Sequence, residues 1–169
     1  KLDWNISDNH RANLRYTKTD ESNPIFPGFG TRSLSLSSHW YAQEKTIESL
    51  VGQWFADWSD VFSTEFKLSR REYDSAPLNN SNLPQVTVRI SGGTPPPGVL
   101  GGQRTLVFGT ERSRHFNVLG TKTDNLYFAG NLFLGDHELK AGIDLERNEI
   151  YNAFLQDTRG NYTFNCISS

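Results

Sequence analysis

The chain has 169 residues and a formal net charge of −2, so it is long enough for one domain and carries no field that favours nucleic acid. A single cysteine, Cys166, excludes an internal disulfide framework and a cysteine-based metal cluster. No stretch reaches the roughly 18 consecutive apolar residues of a helical membrane span; a span built of strands, each only half apolar, stays open.

Apolar content of 36% is low for a compact globule, whereas aromatic content of 12% is high. With 14 glycines, this composition suits an all-β chain with long hydrated loops. Lys1-Leu2-Asp3-Trp4 reads as mid-domain sequence, and the chain is expected to be a piece of something longer.

At the start, Leu2, Trp4 and Ile6 alternate with polar residues up to Ser7-Asp8-Asn9. His10, Ala12, Leu14 and Tyr16 then share one parity, with Arg11, Asn13, Arg15 and Thr17 on the other. Successive strand side chains point to opposite faces, so this is a hairpin with one apolar and one basic, polar face. Residues 18–32, with two prolines and two glycines, read as a long loop. Gly28-Phe29-Gly30-Thr31 lacks the lysine and the helix of a phosphate loop.

Residues 33–58 admit two readings. Ser33 to Trp40 alternates, but Ile47, Leu50, Val51, Trp54, Phe55 and Trp58 repeat at the spacing of an amphipathic helix. Period and propensity favour the helix, and a helix packed on a sheet would make the chain an α+β domain. Against it stands Asp57-Trp58-Ser59-Asp60, a turn signal followed by the alternating run Phe62, Thr64, Phe66, Leu68, because a hairpin needs a strand on both sides. Residues 74–104 hold five prolines and two Gly-Gly pairs and read as the largest loop, with Gln85–Ile90 as a small strand inside it. Strand character resumes near Phe116.

The clearest segment is 125–164. Leu126, Phe128, Gly130 and Leu132 share a parity before Leu134-Gly135-Asp136-His137; Leu139, Ala141, Ile143 and Leu145 share one after it. The second run continues to about Gln156, twice an ordinary strand of ~5–6 residues. Three turns with an apolar residue before a small residue and Asp are thus separated by long out-and-back stretches. Short turns at one end and long loops at the other are the asymmetry of transmembrane β-barrels. On alternation alone, a long hairpin of a soluble β-sandwich remains open, with Trp40, Trp54 and Trp58 as stacking platforms for carbohydrate. The two readings differ in one observable: Phe62, Phe66, Leu68, Leu139, Ile143 and Leu145 are exposed on a barrel and sealed in a sandwich.

Catalytic constellations are not found. His10, His39, His115 and His137 are scattered, and Asp136-His137-Glu138, as neighbours in a strand, cannot converge on one metal. No serine sits in a nucleophile elbow. The chain is read as a non-enzyme without cofactor or metal. Arg112, Arg114 and His115 form a small basic cluster, which reads either as a solvated strand end or, together with Arg71 and Tyr73, as a candidate ligand contact at the rim.

The strings Gly130-Asn131, Gly135-Asp136-His137-Glu138-Leu139-Lys140-Ala141-Gly142, Tyr151-Asn152-Ala153-Phe154-Leu155 and Gly160-Asn161-Tyr162-Thr163-Phe164 resemble the barrel of TonB-dependent outer-membrane receptors of the Oar-like group. Trp40-Tyr41 and Asp57-Trp58-Ser59-Asp60 with Ser63-Thr64-Glu65 extend the resemblance over nearly the whole chain. It implies a bacterial outer-membrane location and a 22-stranded barrel filled by a plug, taking up a scarce small-molecule or peptide ligand with energy delivered by TonB. Residues 1–169 are then expected to be a partial β-barrel domain of about six antiparallel strands, the plug, TonB box and remaining strands lying outside them. The resemblance also implies strand for 44–58, against the local period. It implies a lumen-facing wall at Arg15, Glu65, Lys67, Lys140, Asp144 and Glu146, and outer-membrane lipid against the apolar face.

Overall fold

A computed structural model describes residues 1–99 and 101–167. The chain is all-β: two short 3₁₀ turns, Ser37–His39 and Arg112–Arg114, are the sole helical elements among the described residues. The ten strands are β1 Leu2–Ser7, β2 His10–Ile25, β3 Ser33–Ser35, β4 Tyr41–Ser59, β5 Phe62–Asn79, β6 Gln85–Ser91, β7 Arg104–Phe108, β8 Phe116–Leu134, β9 His137–Leu155 and β10 Asn161–Ile167. They form a six-stranded antiparallel sheet in the order β1-β2-β4-β5-β8-β9 and a four-stranded sheet in the order β10-β6-β7-β3.

Each of the three expected turns is a two-residue connection: Asp8-Asn9, Asp60-Val61 and Gly135-Asp136. Gly135 has φ +60°, the left-handed conformation that tight hairpins require and that glycine adopts without steric cost. β4 is a single 19-residue strand through the stretch whose period suggested helix. The reason is visible in the parity. Ile47, Val51 and Phe55 fall on one strand face and Leu50, Trp54 and Trp58 on the other, so two four-residue spacings, one per face, mimic a helical stripe.

Two loop boundaries are corrected. The expected loop 18–32 shrinks to 26–32, because β2 runs on to Ile25 with Pro24 near its end. The expected loop 74–104 loses its first residues to β5, which reaches Asn79, and its middle to β6; β7 then begins at Arg104. The four-stranded sheet had no counterpart in the expectation beyond Gln85–Ile90.

The chain divides into two compact units. The first comprises Lys1–Asp20, Thr46–Asp74 and Gly120–Tyr151, the turn-proximal parts of the six-stranded sheet. The second comprises Glu21–Lys45, Ser75–Leu119 and Asn152–Ser169 and contains the four-stranded sheet. Apolar burial is almost nil: Ala56, Val107 and Ala129 are the only buried hydrophobic residues among those described. Of the six diagnostic side chains, Phe62, Leu68, Leu139, Ile143 and Leu145 are exposed, the last at 59%, and Phe66 is half-buried. A sandwich would seal them between sheets; this sheet does not.

Candidate functional site

In the first unit the six-stranded sheet has two chemically distinct faces. β1 and β2 set the register by pairing Leu2 with Leu14 and Trp4 with Ala12, which places these residues on one face, and Asp3 with Asn13 and Asn5 with Arg11 on the other. The apolar face continues through contacts across the sheet. The His10 ring packs against Trp54 and Trp58, with centroids 5.9 and 5.2 Å apart, and the Trp58 Nε1–H donates to Thr64 Oγ1 at 2.8 Å. The Phe62 ring lies over Gly130, where an added Cβ would approach Cε2 to 3.3 Å. Leu68, Leu126 and Leu145 line a common shallow apolar recess.

Farther from the turns, the same face changes character abruptly. Lys18 pairs with Glu48 at 2.9 Å, Arg70 grips Asp124 through two bonds of 2.7 and 3.0 Å, and Lys122 pairs with Glu72 at 3.1 Å. On β9, Arg147 pairs with Glu149 at 2.6 Å. Each of these residues shares the parity of the leucines and aromatics that precede it in its strand. An apolar band therefore ends in a belt of matched charges that crosses β2, β4, β5, β8 and β9.

The opposite face is polar and largely hydrogen-bonded. Asn125 donates to Asp144, Asn148 donates to Glu146, and Thr123 donates to Asn148 at 2.7 Å. Lys67 stands over the Tyr127 ring at 5.4 Å and Arg11 over the Phe55 ring at 5.1 Å. By strand alternation Arg15, Glu65, Lys67, Lys140, Asp144 and Glu146 all lie on this face. Their charges are not matched to one another. Among the described residues no ion pair joins Glu65, Asp144 or Glu146 to Lys67, Lys140 or Arg71; the pairs that share the parity of this face are Lys1–Asp3 at 2.9 Å and Lys45–Glu21 at 3.0 Å. Gly142 sits where a Cβ would come within 2.6 Å of the Phe128 carbonyl oxygen and 2.9 Å of Ala129 Cβ, so a side chain there would collide with β8.

The second unit holds a polar hub in place of an apolar one. Its core is Thr110, whose hydroxyl donates to the Ser81 carbonyl at 2.7 Å and whose amide donates to the Leu83 carbonyl at 3.2 Å. Ser38 Oγ accepts from the Gly109 amide, and His39 Nδ1 meets the Gly109 carbonyl at 3.0 Å. Gly109 has φ +80°, and an added Cβ would lie 1.8 Å from the Pro84 carbonyl oxygen, so only glycine fits.

The rim candidates behave differently from expectation. His115 is buried, at 3% exposure, with both ring nitrogens engaged: Nδ1 accepts from the Arg159 amide at 3.1 Å, which leaves Nε2 to donate to the Thr110 carbonyl at 3.1 Å. It is a structural tie at the end of the turn Arg112–Arg114, not an accessible contact. Arg112 pairs with Asp157 at 2.7 Å, while Arg114 lies 3.5 Å from Glu111 and stacks over Tyr41. Arg71 and Tyr73 belong to β5 in the first unit, so the five residues do not form one set within either unit.

What the sequence reading missed is the four-stranded sheet's own two-sidedness. Tyr162 aligns with Val86 and Phe164 with Val88 in a parallel pair; Val88 then faces Leu106, and Leu106 faces Leu34. These residues share one face. Asn161, Thr163, Gln85, Thr87, Thr105 and Ser33 share the other. Alternation within each short run was legible, but the run-to-run pairing was not.

A family model described as outer membrane beta barrel domain matches residues 1–169. No curated protein and no solved structure matches the chain.

Proposed function

The chain belongs to the outer membrane beta barrel domain family and is a protein of the bacterial outer membrane, and we propose that within it the chain forms part of the wall and outer loops of a TonB-dependent receptor that imports a scarce ligand. The observation that carries this reading is the apolar face of the first unit: large hydrophobic side chains exposed over five long strands, bounded by paired charges, with no dry core behind them. Lipid supplies the missing apolar environment, and the opposite polar face looks onto a hydrated lumen and a plug.

Six strands fall short of the roughly eight of the smallest barrels, so closure calls for further strands of the same protein. Connections of two residues alternating along the chain with long ones that form a sheet of their own suit an uptake receptor, whose outer loops must capture ligand. The chain performs no covalent chemistry in this role.

The test is uptake. In cells that depend on the full-length protein for a labelled nutrient, deleting TonB abolishes accumulation while binding at the cell surface persists. Undiminished accumulation without TonB would leave a passive barrel and discard the receptor reading.

A further inference from the structure

We propose that β10 is a docking edge for an extended peptide, which adds to the four-stranded sheet as a fifth strand. β10 ends that sheet, with β6 on one side and no strand on the other among the described residues. Every residue from Asn161 to Cys166 is exposed. Half of the backbone N–H and C=O groups of such a strand point away from its single neighbour. They form a ladder of alternating donors and acceptors that an extended polypeptide matches along its whole length. At seven residues the edge is long enough for an ordinary strand of ~5–6.

Three observations carry this. First, the edge is unguarded. Proteins blunt open edges with lysines, prolines, bulges or very short strands. β10 has no charged residue and no proline, and it aligns with Gln85–Ser91 residue for residue without a bulge. Second, the opposite edge of the same sheet is guarded. β3 is three residues long, its Ser35 is buried, and Gly30 folds back on Ser33, each amide donating to the other's carbonyl at 3.1 and 3.4 Å. One sheet thus closes one edge and leaves the other open. Third, the open edge selects side chains. Tyr162 and Phe164, 53% and 57% exposed, share the face of Val86 and Val88, whereas Asn161, Thr163 and Asn165 share the other. A strand laid beside β10 places every second side chain next to the two rings and the rest beside amides and a hydroxyl. Aromatic or β-branched residues alternating with small polar ones fit that pattern, and a charge within the paired run finds no counter-charge on β10. As the cargo of import the peptide rests on the receptor reading above; its capture at the edge does not.

The probe is a blocked, fluorophore-labelled peptide in which threonine alternates with valine and tyrosine, with a lysine pair at each end for solubility. Two derivatives carry N-methyl groups, one on alternate residues of the run and one on every residue of it. Successive residues of a strand turn their backbone groups to opposite sides, so the first derivative keeps one hydrogen-bonding edge and the second keeps none. They are titrated by fluorescence anisotropy into the full-length protein in neutral detergent. The parent and half-methylated peptides should bind. The fully methylated peptide should bind at least about tenfold more weakly, the scale of several lost backbone hydrogen bonds, although it is the most apolar of the three. Phe164→Lys, at an exposed position, should weaken the parent peptide about fivefold through its lost cross-strand contacts. No binding of the parent peptide, equal binding of the half- and fully methylated derivatives, or an affinity unchanged by Phe164→Lys overturns the assignment. A dimer of the protein that Phe164→Lys splits, with no peptide bound, gives the edge to a second copy and overturns it as well. The titration contains no TonB, so failure of the import reading and failure of the edge are separately visible.

Discussion

Replacing Ile143 by arginine tests the lipid-facing assignment directly. Ile143 is 58% exposed on the apolar face of β9. The charged belt begins four residues on, at Arg147, and the turn lies seven residues back, at Asp136. At a rise of about 3.4 Å per residue and a strand tilt near 40°, Ile143 lies about 10 Å below the belt and about 18 Å above the turn. That places it within about 4 Å of the middle of the apolar band. Arginine at the midplane of a barrel's lipid face costs roughly 2–4 kcal/mol, a fall of about 30- to 800-fold in the folding constant. Asp144, the next residue, is at the same depth on the other face; Asp144→Asn there should change stability by no more than about 0.5 kcal/mol beyond its bond from Asn125. Urea-dependent folding of the full-length protein into phospholipid vesicles, followed by tryptophan fluorescence, gives both numbers. If Ile143→Arg folds as stably as the parent chain, or if the two substitutions cost the same, the apolar face does not meet lipid.

Two glycines carry the remaining predictions. Gly142→Val drives a side chain into the Phe128 carbonyl and Ala129 and should destabilise the β8–β9 pairing by about 1–3 kcal/mol in the same vesicle assay, whereas Gly130→Ala, facing a movable Phe62 ring, should cost less than half of that. Gly109→Ala combines a left-handed backbone with an overlap at Pro84, so the hub of the second unit should open while the first stays folded. Amide hydrogen exchange should then quicken at Thr110 and Arg159, and stay slow in the strands of the first unit.

The three turns and the turn-proximal runs of β1, β2, β5, β8 and β9 were legible because their chemistry is local. Asp8-Asn9, Asp60-Val61 and Gly135-Asp136 punctuate runs whose parity holds for five residues or more. β4 was not legible from its own period: apolar residues on both faces of a strand imitate a helix, and only the family resemblance and the Asp57–Asp60 turn pointed to strand. The far half of β2 was hidden because Lys18 to Asn23 is polar on both faces, so alternation leaves no mark in water. The candidate site was legible in part. Which faces are apolar could be read; which charges find partners could not, since ion pairs such as Arg70–Asp124 join residues more than fifty positions apart. His115 looked like a rim contact because exposure is not written in a basic triplet.

The position of the paired belt follows from where charge is expensive. On the polar face water can solvate each group, so Glu65, Lys140 and Arg71 stand without an ion-pair partner among the described residues, while Lys1–Asp3 and Lys45–Glu21 pair there as exposed surface charges do. At the end of the apolar band a bare charge would border hydrocarbon, and its desolvation is reduced by an opposite charge within bonding distance. Such pairs add little to stability when exposed, ~0.2–1 kcal/mol each, so their value is not the fold. Their value is depth: an unpaired lysine or aspartate would tolerate several positions along the lipid boundary, but a belt neutralised pair by pair across five strands has one level at which every strand passes from hydrocarbon to water. Breaking one pair by Asp124→Ala frees Arg70 and should therefore shift the apparent immersion of β5 and β8 more than it lowers folding stability.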